Sequence, residues 1–381
     1  MSKAMSRLPI GIQSAAVRAL YALPEPLRRV IAGPPIRIDG NELALDAQLL
    51  LRVSRMTETR LTEGTVAQAR RNAEAAGGLI SGPVIQPVRV RELLIPGDDG
   101  AIPARLYTPE GLAEGSPLLV YYHGGGWVIC SVDTHDNLCR FLATHAGVRV
   151  LSVDYRLAPE HPFPAAPADA LRAFEYAARH AGELAVDASA IAVGGDSAGG
   201  NLAAVTSYQA LRSGGPRPAF QLLIYPGTDM AHRHPSRDLF AEGFFLTDED
   251  ITWFLGHYCP EPDRRSDPLA SPLLADDLRG LPPTYVATAG FDPLRDEGEA
   301  YARRLAEAGV PVVLNRHADL IHGFASFTGV GRRFREALAE AAGALRTGLV
   351  LRSHKAADLF GTPPNSPAKA QKERGNPTPG H

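Results

Sequence analysis

The sequence predicts an α/β protein in which a mostly parallel sheet is covered by helices on both faces. From residue 84 to about 351, short β-rich runs alternate with helical stretches, the order in which strand–helix–strand units build a parallel sheet. The runs are also continuously apolar instead of alternating, as strands buried on both faces must be. They fall at 88–95, 118–122, 148–153, 191–193, 220–225, 284–288 and 312–314. Helical patterns at about 167–181, 198–212, 296–308 and 332–346 supply the covering layers.

Two flanking regions differ in texture. Residues 1–82 read as a helical segment with breaks at Pro24, at Pro34-Pro35 and at Gly77-Gly78; Leu43, Ala47, Leu50 and Val53 fall close to helical spacing. Residues 352–381 are rich in proline, glycine and basic side chains and almost free of apolar ones, so a disordered tail is expected. The α/β domain between them spans 83–351.

Composition removes several function classes. Charged residues make up 21% of the 381 and apolar ones 45%, which is globular material. The net charge of −3 gives no basic field for a nucleic acid. No stretch approaches the roughly 20 apolar residues that cross a bilayer. The apolar run at 10–23 carries Gln13 and Arg18 and no small-residue cleavage site follows it, so an amphipathic helix is expected and not a signal peptide. Arg18, Arg28 and Arg29 beside apolar residues would suit peripheral contact with lipid. Cys130, Cys139 and Cys259 are too few and too scattered for a disulfide framework or a zinc site. A cytoplasmic protein is the default expectation.

The chemistry concentrates at strand ends. The run 191–193 leads into Gly195-Asp196-Ser197-Ala198-Gly199 and then a helix, which is G-x-S-x-G in its strand–turn–helix setting. A serine on so tight a turn needs neighbours without bulk, and the helix behind it offers free N–H groups to a developing oxyanion. Upstream, the run 118–122 empties into His123-Gly124-Gly125-Gly126-Trp127. Three glycines in a row cost chain entropy, and close approach of backbone N–H donors to a substrate oxygen would justify them. Gly125, Gly126 and Ala198 are therefore the expected oxyanion hole. His123, Gly124 and Asp196 are expected to support it, His123 as a loop-ordering hydrogen-bonder because it precedes the serine. A phosphate loop is excluded, since no Gly-Lys-Ser/Thr follows.

After Ser197, the run 284–288 ends near Asp292, at the edge where sites of parallel sheets assemble. Asp296 and Glu297 fall in the next helix's first turn, where capping or dipole duty accounts for them. The last run leads to His322-Gly323-Phe324; His317, almost on the strand, reads as structural. Ser197, Asp292 and His322 thus follow the chain order nucleophile, acid, base. His322 would take the serine proton and return it to the leaving alcohol, with Asp292 fixing its tautomer. This chemistry calls for no metal and no organic cofactor. His232-Arg233-His234 reads as a loop, with no third ligand nearby.

These motifs, with 154–165 (Asp154-Tyr155-Arg156-Leu157-Ala158-Pro159 onward) and Asp292-Pro293-Leu294-Arg295-Asp296-Glu297, resemble the hormone-sensitive-lipase-like carboxylesterases, the H-G-G-G family of α/β-hydrolases. The resemblance covers about 84–348. It implies an α/β-hydrolase fold with an eight-stranded sheet whose second strand is antiparallel. It also implies 154–165 bracing the oxyanion loop, and a helical cap formed by the N-terminal segment and an insertion near 230–262. The implied activity is hydrolysis of short- to medium-chain acyl esters. The aromatic stretch 240–258 fits such a cap, and Trp127, Phe244, Phe245 and Phe324 are the expected pocket residues. Two other functions are weighed: a membrane-associated lipase for longer-chain glycerides, and a non-catalytic ligand-binding relative, which the intact Ser197, Asp292 and His322 argue against. A homodimer joined at a sheet edge is a further expectation.

Overall fold

The computed structural model describes residues 9–57 and 61–350; the expected tail at 352–381 lies outside the described residues. Its centre is an eight-stranded sheet. The strands are β1 (Val88–Gly97), β2 (Gly100–Pro109), β3 (Ser116–Tyr122), β4 (Arg149–Val153), β5 (Val186–Asp196), β6 (Gln221–Ile224), β7 (Thr284–Phe291) and β8 (Val312–Ile321). Their spatial order is β1-β2-β4-β3-β5-β6-β7-β8. Only β2 runs antiparallel to its neighbours β1 and β4; every other pair is parallel.

β2 is absent from the runs read in the sequence. Pro103, Arg105 and Pro109 interrupt it, and its first residues alternate between exposed and buried, because it lies near the sheet edge. The turn that opens it is the two-residue loop Asp98-Asp99, flanked by the paired Gly97 and Gly100.

The central strands explain the two-sided core. In β3, Leu118, Val120 and Tyr122 point to one cluster while Leu119 and Tyr121 point to the other, the period-2 alternation of a pleated strand. The first cluster is closed by α6 (Ala165–Arg179), α7 (Ala198–Ser213) and α10 (Arg295–Glu307). The second is closed by α5 (Asp136–Ala146) and α11 (Arg332–Val350). Helix α5 was not foreseen. Its buried face includes Asn137 and Arg140, which hydrogen-bond the backbone of Ser81, Pro83, Ile85 and Val88, so its apolar stripe is interrupted.

The N-terminal segment forms α1 (Ile10–Tyr21), α2 (Glu25–Ala32), a short hairpin of Arg37–Ile38 with Asn41–Glu42, α3 (Leu45–Thr57) and α4 (Val66–Ile80). Gly77 and Gly78 lie inside α4 instead of breaking it. Between β6 and β7 the chain makes α8 (Pro235–Leu239) and α9 (Asp248–Tyr258), the latter opened by a capping box of Thr247 and Asp250. The N-terminal segment touches this insertion, through Thr62 Oγ1 to Asp250 Oδ1 at 2.5 Å and Arg55 to the Gly243 carbonyl. No described helix is long and apolar enough to cross a membrane.

Candidate active site

Four strands deliver the expected residues to one end of the sheet. β3 ends just before His123, β5 just before Ser197, β7 just before Asp292 and β8 just before His322, all at C-terminal ends of parallel strands. The strand–helix turn forces Ser197 to φ +54°, ψ −118°, a backbone state that surrounding structure must hold in place. Here the Ser197 amide donates to the Ile224 carbonyl at 2.9 Å. A Cβ on Gly195 or Gly199 would strike the Tyr122 carbonyl oxygen, so both glycines are needed for the turn to nest against β3.

The three side chains meet. His322 Nε2 lies 2.9 Å from Ser197 Oγ, and His322 Nδ1 lies 2.8 Å from Asp292 Oδ2. A carboxylate can only accept, so Nδ1 carries the hydrogen and Nε2 is left to accept from the serine hydroxyl. Asp292 is fully buried, and its other oxygen takes the Leu294 amide at 2.8 Å. The imidazole packs against the Tyr225 ring, centroids 4.7 Å apart.

The glycine loop is held from below by a buried carboxylate. Asp196 Oδ1 accepts the Tyr121 hydroxyl at 2.6 Å and the Gly124 amide at 2.9 Å, with His135 Nε2 at 3.3 Å. Burial opposes its ionisation, but His135, Tyr121 and the Gly124 amide outweigh burial and keep its carboxyl below the usual range. His123 is wholly buried; its Nδ1 donates to the Gly124 carbonyl at 2.8 Å and its ring stacks on Tyr155 at 4.4 Å. Burial, with His135 nearby, pushes its pKa down to about 3, so the ring is neutral and shut off from the cleft.

The 154–165 segment meets the same loop: the Tyr155 hydroxyl donates to the His123 carbonyl and the Ala158 amide to the Trp127 carbonyl. Arg70 of α4 bonds the Val128 and Ala158 carbonyls. The amides of Gly125 and Gly126 meet no acceptor among the described residues, and Ala198, first residue of α7, has no intrahelical acceptor.

A cleft opens over Ser197, Ala198, Gly126 and Trp127. Its apolar walls come mainly from Leu246, Ile251, Phe254, Leu255 and Leu294. Trp127 lies in the cleft lining, stacked on Tyr258 at 4.4 Å. Phe244, Phe245 and Phe324 are not in the lining. Phe244 packs on Phe240 and Phe291 in the core, Phe245 edges onto Phe327, and Phe324 sits against Tyr225 and His317. Among the described residues no cluster of three His, Cys, Asp or Glu side chains is placed to hold a metal; His232 and His234 both bond Asp229. Glu297 and Asp296 do not cap their own helix. Asp296 takes the Ser236 amide and Glu297 the Thr228 and Asp229 amides, long-range partners that the local sequence could not reveal.

A serine on a strand–helix turn, a histidine and a carboxylate from later strand ends, and this sheet order together define an α/β-hydrolase. The family model described as the alpha/beta hydrolase fold matches residues 119–326. A carboxylic ester hydrolase, LipN, of Mycobacterium tuberculosis is 45% identical over 84% of this chain and 87% of its own length. An ethyl acetate hydrolase of Pseudomonas putida is 41% identical over 68% of this chain and 82% of its own. Among solved structures, the hyperthermophilic esterase of Pyrobaculum calidifontis superposes with a TM-score of 0.75 at 41% identity, covering 80% of this chain and 98% of that one. The chain belongs to the hormone-sensitive-lipase-like family of α/β-hydrolases and is a carboxylic-ester hydrolase.

Proposed function

We propose that the enzyme hydrolyses short- to medium-chain acyl esters of small alcohols by a serine mechanism on Ser197, His322 and Asp292. The observation that carries this reading is the unbroken hydrogen-bond line from Ser197 Oγ through His322 to Asp292 at the floor of an apolar cleft. Ser197 Oγ attacks the ester carbonyl carbon as His322 Nε2 takes the hydroxyl proton. The negative charge that forms on the carbonyl oxygen meets the amides of Gly125, Gly126 and Ala198. His322 then hands its proton to the alkoxy oxygen, the C–O bond breaks, and the alcohol leaves an acyl-serine. Water repeats the sequence, with His322 as base, and releases the acid. Asp292 holds the tautomer and stabilises the transient imidazolium.

The apolar walls of the cleft and the likeness to an ethyl acetate hydrolase support ester substrates of modest length. We read the N-terminal helices together with α8 and α9 as the cap that bounds it, and 83–351 as the catalytic domain. Free Cys130, Cys139 and Cys259 go with a reducing compartment such as the cytoplasm. Exposed Val313 and Leu314 on edge strand β8 support pairing of two copies. The second reading, a lipase working at a lipid surface, draws support from Ile10, Ile12, Leu27 and Val30, all exposed on α1 and α2.

Turnover of p-nitrophenyl acyl esters of increasing length decides between the readings. Activity that peaks at short to medium chains supports the esterase. A rise that continues into long chains and needs lipid interfaces supports the lipase, and absence of turnover overturns both.

A further inference from the structure

Three ionisable side chains form part of the cleft wall: Asp229, Arg237 and Glu297. Two are already committed. The Asp229 carboxylate receives His232 Nδ1 and His234 Nε2, each at 3.0 Å, and the amides of Ala231 and His232. Arg237 donates to Asp248 and to Thr252. Glu297, only 4% exposed, is different. Two backbone amides, of Thr228 at 2.6 Å and Asp229 at 3.2 Å, converge on its single oxygen Oε1. Burial pushes its carboxyl up to about 8; the two amides and His234 pull the other way without prevailing, and Asp229 adds to the rise.

In the neutral acid, the oxygen that accepts two amides is the carbonyl oxygen, so the proton resides on Oε2 and makes it a donor. Because Glu297 lines the cleft, that hydroxyl is available to donate to an acceptor on a bound molecule. The place is close to the chemistry. The Gly227 amide donates to the Ser197 carbonyl at 3.3 Å, and a Cβ on Gly227 would lie 3.8 Å from Glu297 Oε1 and 3.9 Å from Trp127 Cη2.

We propose that Glu297 is a specificity residue, whose protonated carboxyl donates a hydrogen bond to an acceptor oxygen on the substrate. The enzyme therefore prefers esters bearing a second carbonyl or ether oxygen a few bonds from the scissile carbonyl over plain alkyl esters. This rests on the reading of the cleft as the site of ester hydrolysis. The titratable and charged groups around Glu297 are Asp229 and His234 from the chain after β6, Arg237 of α8 on the same cleft wall, and Arg295 and Asp296 on its own helix; the His322–Asp292 pair lies beyond Ser197. The hydrogen bond to Asp229 holds the His234 proton to higher pH than usual. Raising the pH past about 8 turns Glu297 into a carboxylate, which repels an acceptor oxygen.

The test uses the full-length protein and matched substrates. p-Nitrophenyl 4-oxopentanoate against p-nitrophenyl pentanoate probes the acyl arm; 2-methoxyethyl acetate against butyl acetate probes the alcohol arm. The quantity read is the oxygenated-to-plain ratio of kcat/KM, and comparing it between variants cancels intrinsic reactivity. For one of the two arms, Glu297→Leu lowers the ratio about 3- to 10-fold, the worth of one neutral hydrogen bond, whereas Glu297→Gln keeps it within about twofold. In the wild type the same ratio falls from about pH 6.5 to about pH 9, and in Glu297→Gln it stays flat. A ratio unchanged in Glu297→Leu, or independent of pH in the wild type, overturns the proposal while leaving the esterase reading intact. No turnover of the plain esters by the wild type overturns both. Should Glu297→Leu fail to fold, Glu297→Gln and the wild-type pH series still decide.

Discussion

Replacing Gly125 by alanine perturbs the proposed oxyanion hole without touching any catalytic side chain. Gly125 has φ +118°, a region other residues enter at a cost of about 1–3 kcal/mol. A Cβ there would collide with the Ile129 carbonyl oxygen and lie 2.9 Å from Cys130 Cβ. Neither side can retreat freely, because the Val128 and Ile129 amides both donate to the Gly125 carbonyl at 3.1 and 3.0 Å and close the turn on itself. The loop must shift, and the Gly125 and Gly126 amides shift with it. Loss of one such donor lowers kcat by about 10²–10³-fold, or about 2.7–4 kcal/mol.

Gly100→Ala is the matched control. Gly100 has φ +131° in the β1–β2 turn, with nothing within 4 Å of a built Cβ. It should share the stability loss of about 1–3 kcal/mol and keep kcat within about twofold. Ester turnover and urea unfolding measured on both variants decide the matter. A Gly125→Ala enzyme with kcat within about threefold of wild type would refute the geometric argument, since a displaced donor is worth far more than that.

Asp292→Asn removes the acceptor that fixes the His322 tautomer and should lower kcat by about 10⁴-fold, read in the same ester assay with KM little changed. His123 titrates near 3 when folded and near 6.5 when unfolded. The unfolded chain therefore binds the extra proton first, and stability falls as pH drops below about 6.5. Between pH 7.5 and pH 5.5 this group accounts for about 1.4 kcal/mol; urea titrations should show His123→Gln losing less than wild type over that interval, by about that amount. Phe254→Ala opens the cleft beside Gly126 and should raise kcat/KM for longer acyl chains relative to shorter ones by about 10-fold, the discrimination that one methylene supports.

The candidate site is legible in the sequence because each proposed member carries a local signature: glycines around a serine, a glycine run after a strand, and an acid and a histidine at successive later strand ends. The rest depends on contacts distant in sequence. Helix α5 hides its buried face because Asn137 and Arg140 are satisfied by the backbone at 81–88. β2 reads poorly because it lies near the sheet edge and includes prolines. Phe244 and Phe254 look alike as aromatic residues of one insertion, yet one packs on Phe291 and the other faces the cleft; only the path of α9 over the sheet separates them. Glu297 reads as a helix-terminus acid until the loop after β6 is folded onto it.

The proposed mechanism stands or falls on Ser197 as the nucleophile. A p-nitrophenyl alkylphosphonate, mass-mapped after proteolysis, tests it most directly, with Ser197→Ala as the partner experiment. One adduct is expected, on the peptide holding Ser197, with parallel loss of ester turnover, and a fall in kcat of about 10⁴–10⁶-fold in the alanine variant. An adduct elsewhere, or near-normal turnover by purified Ser197→Ala, would contradict it.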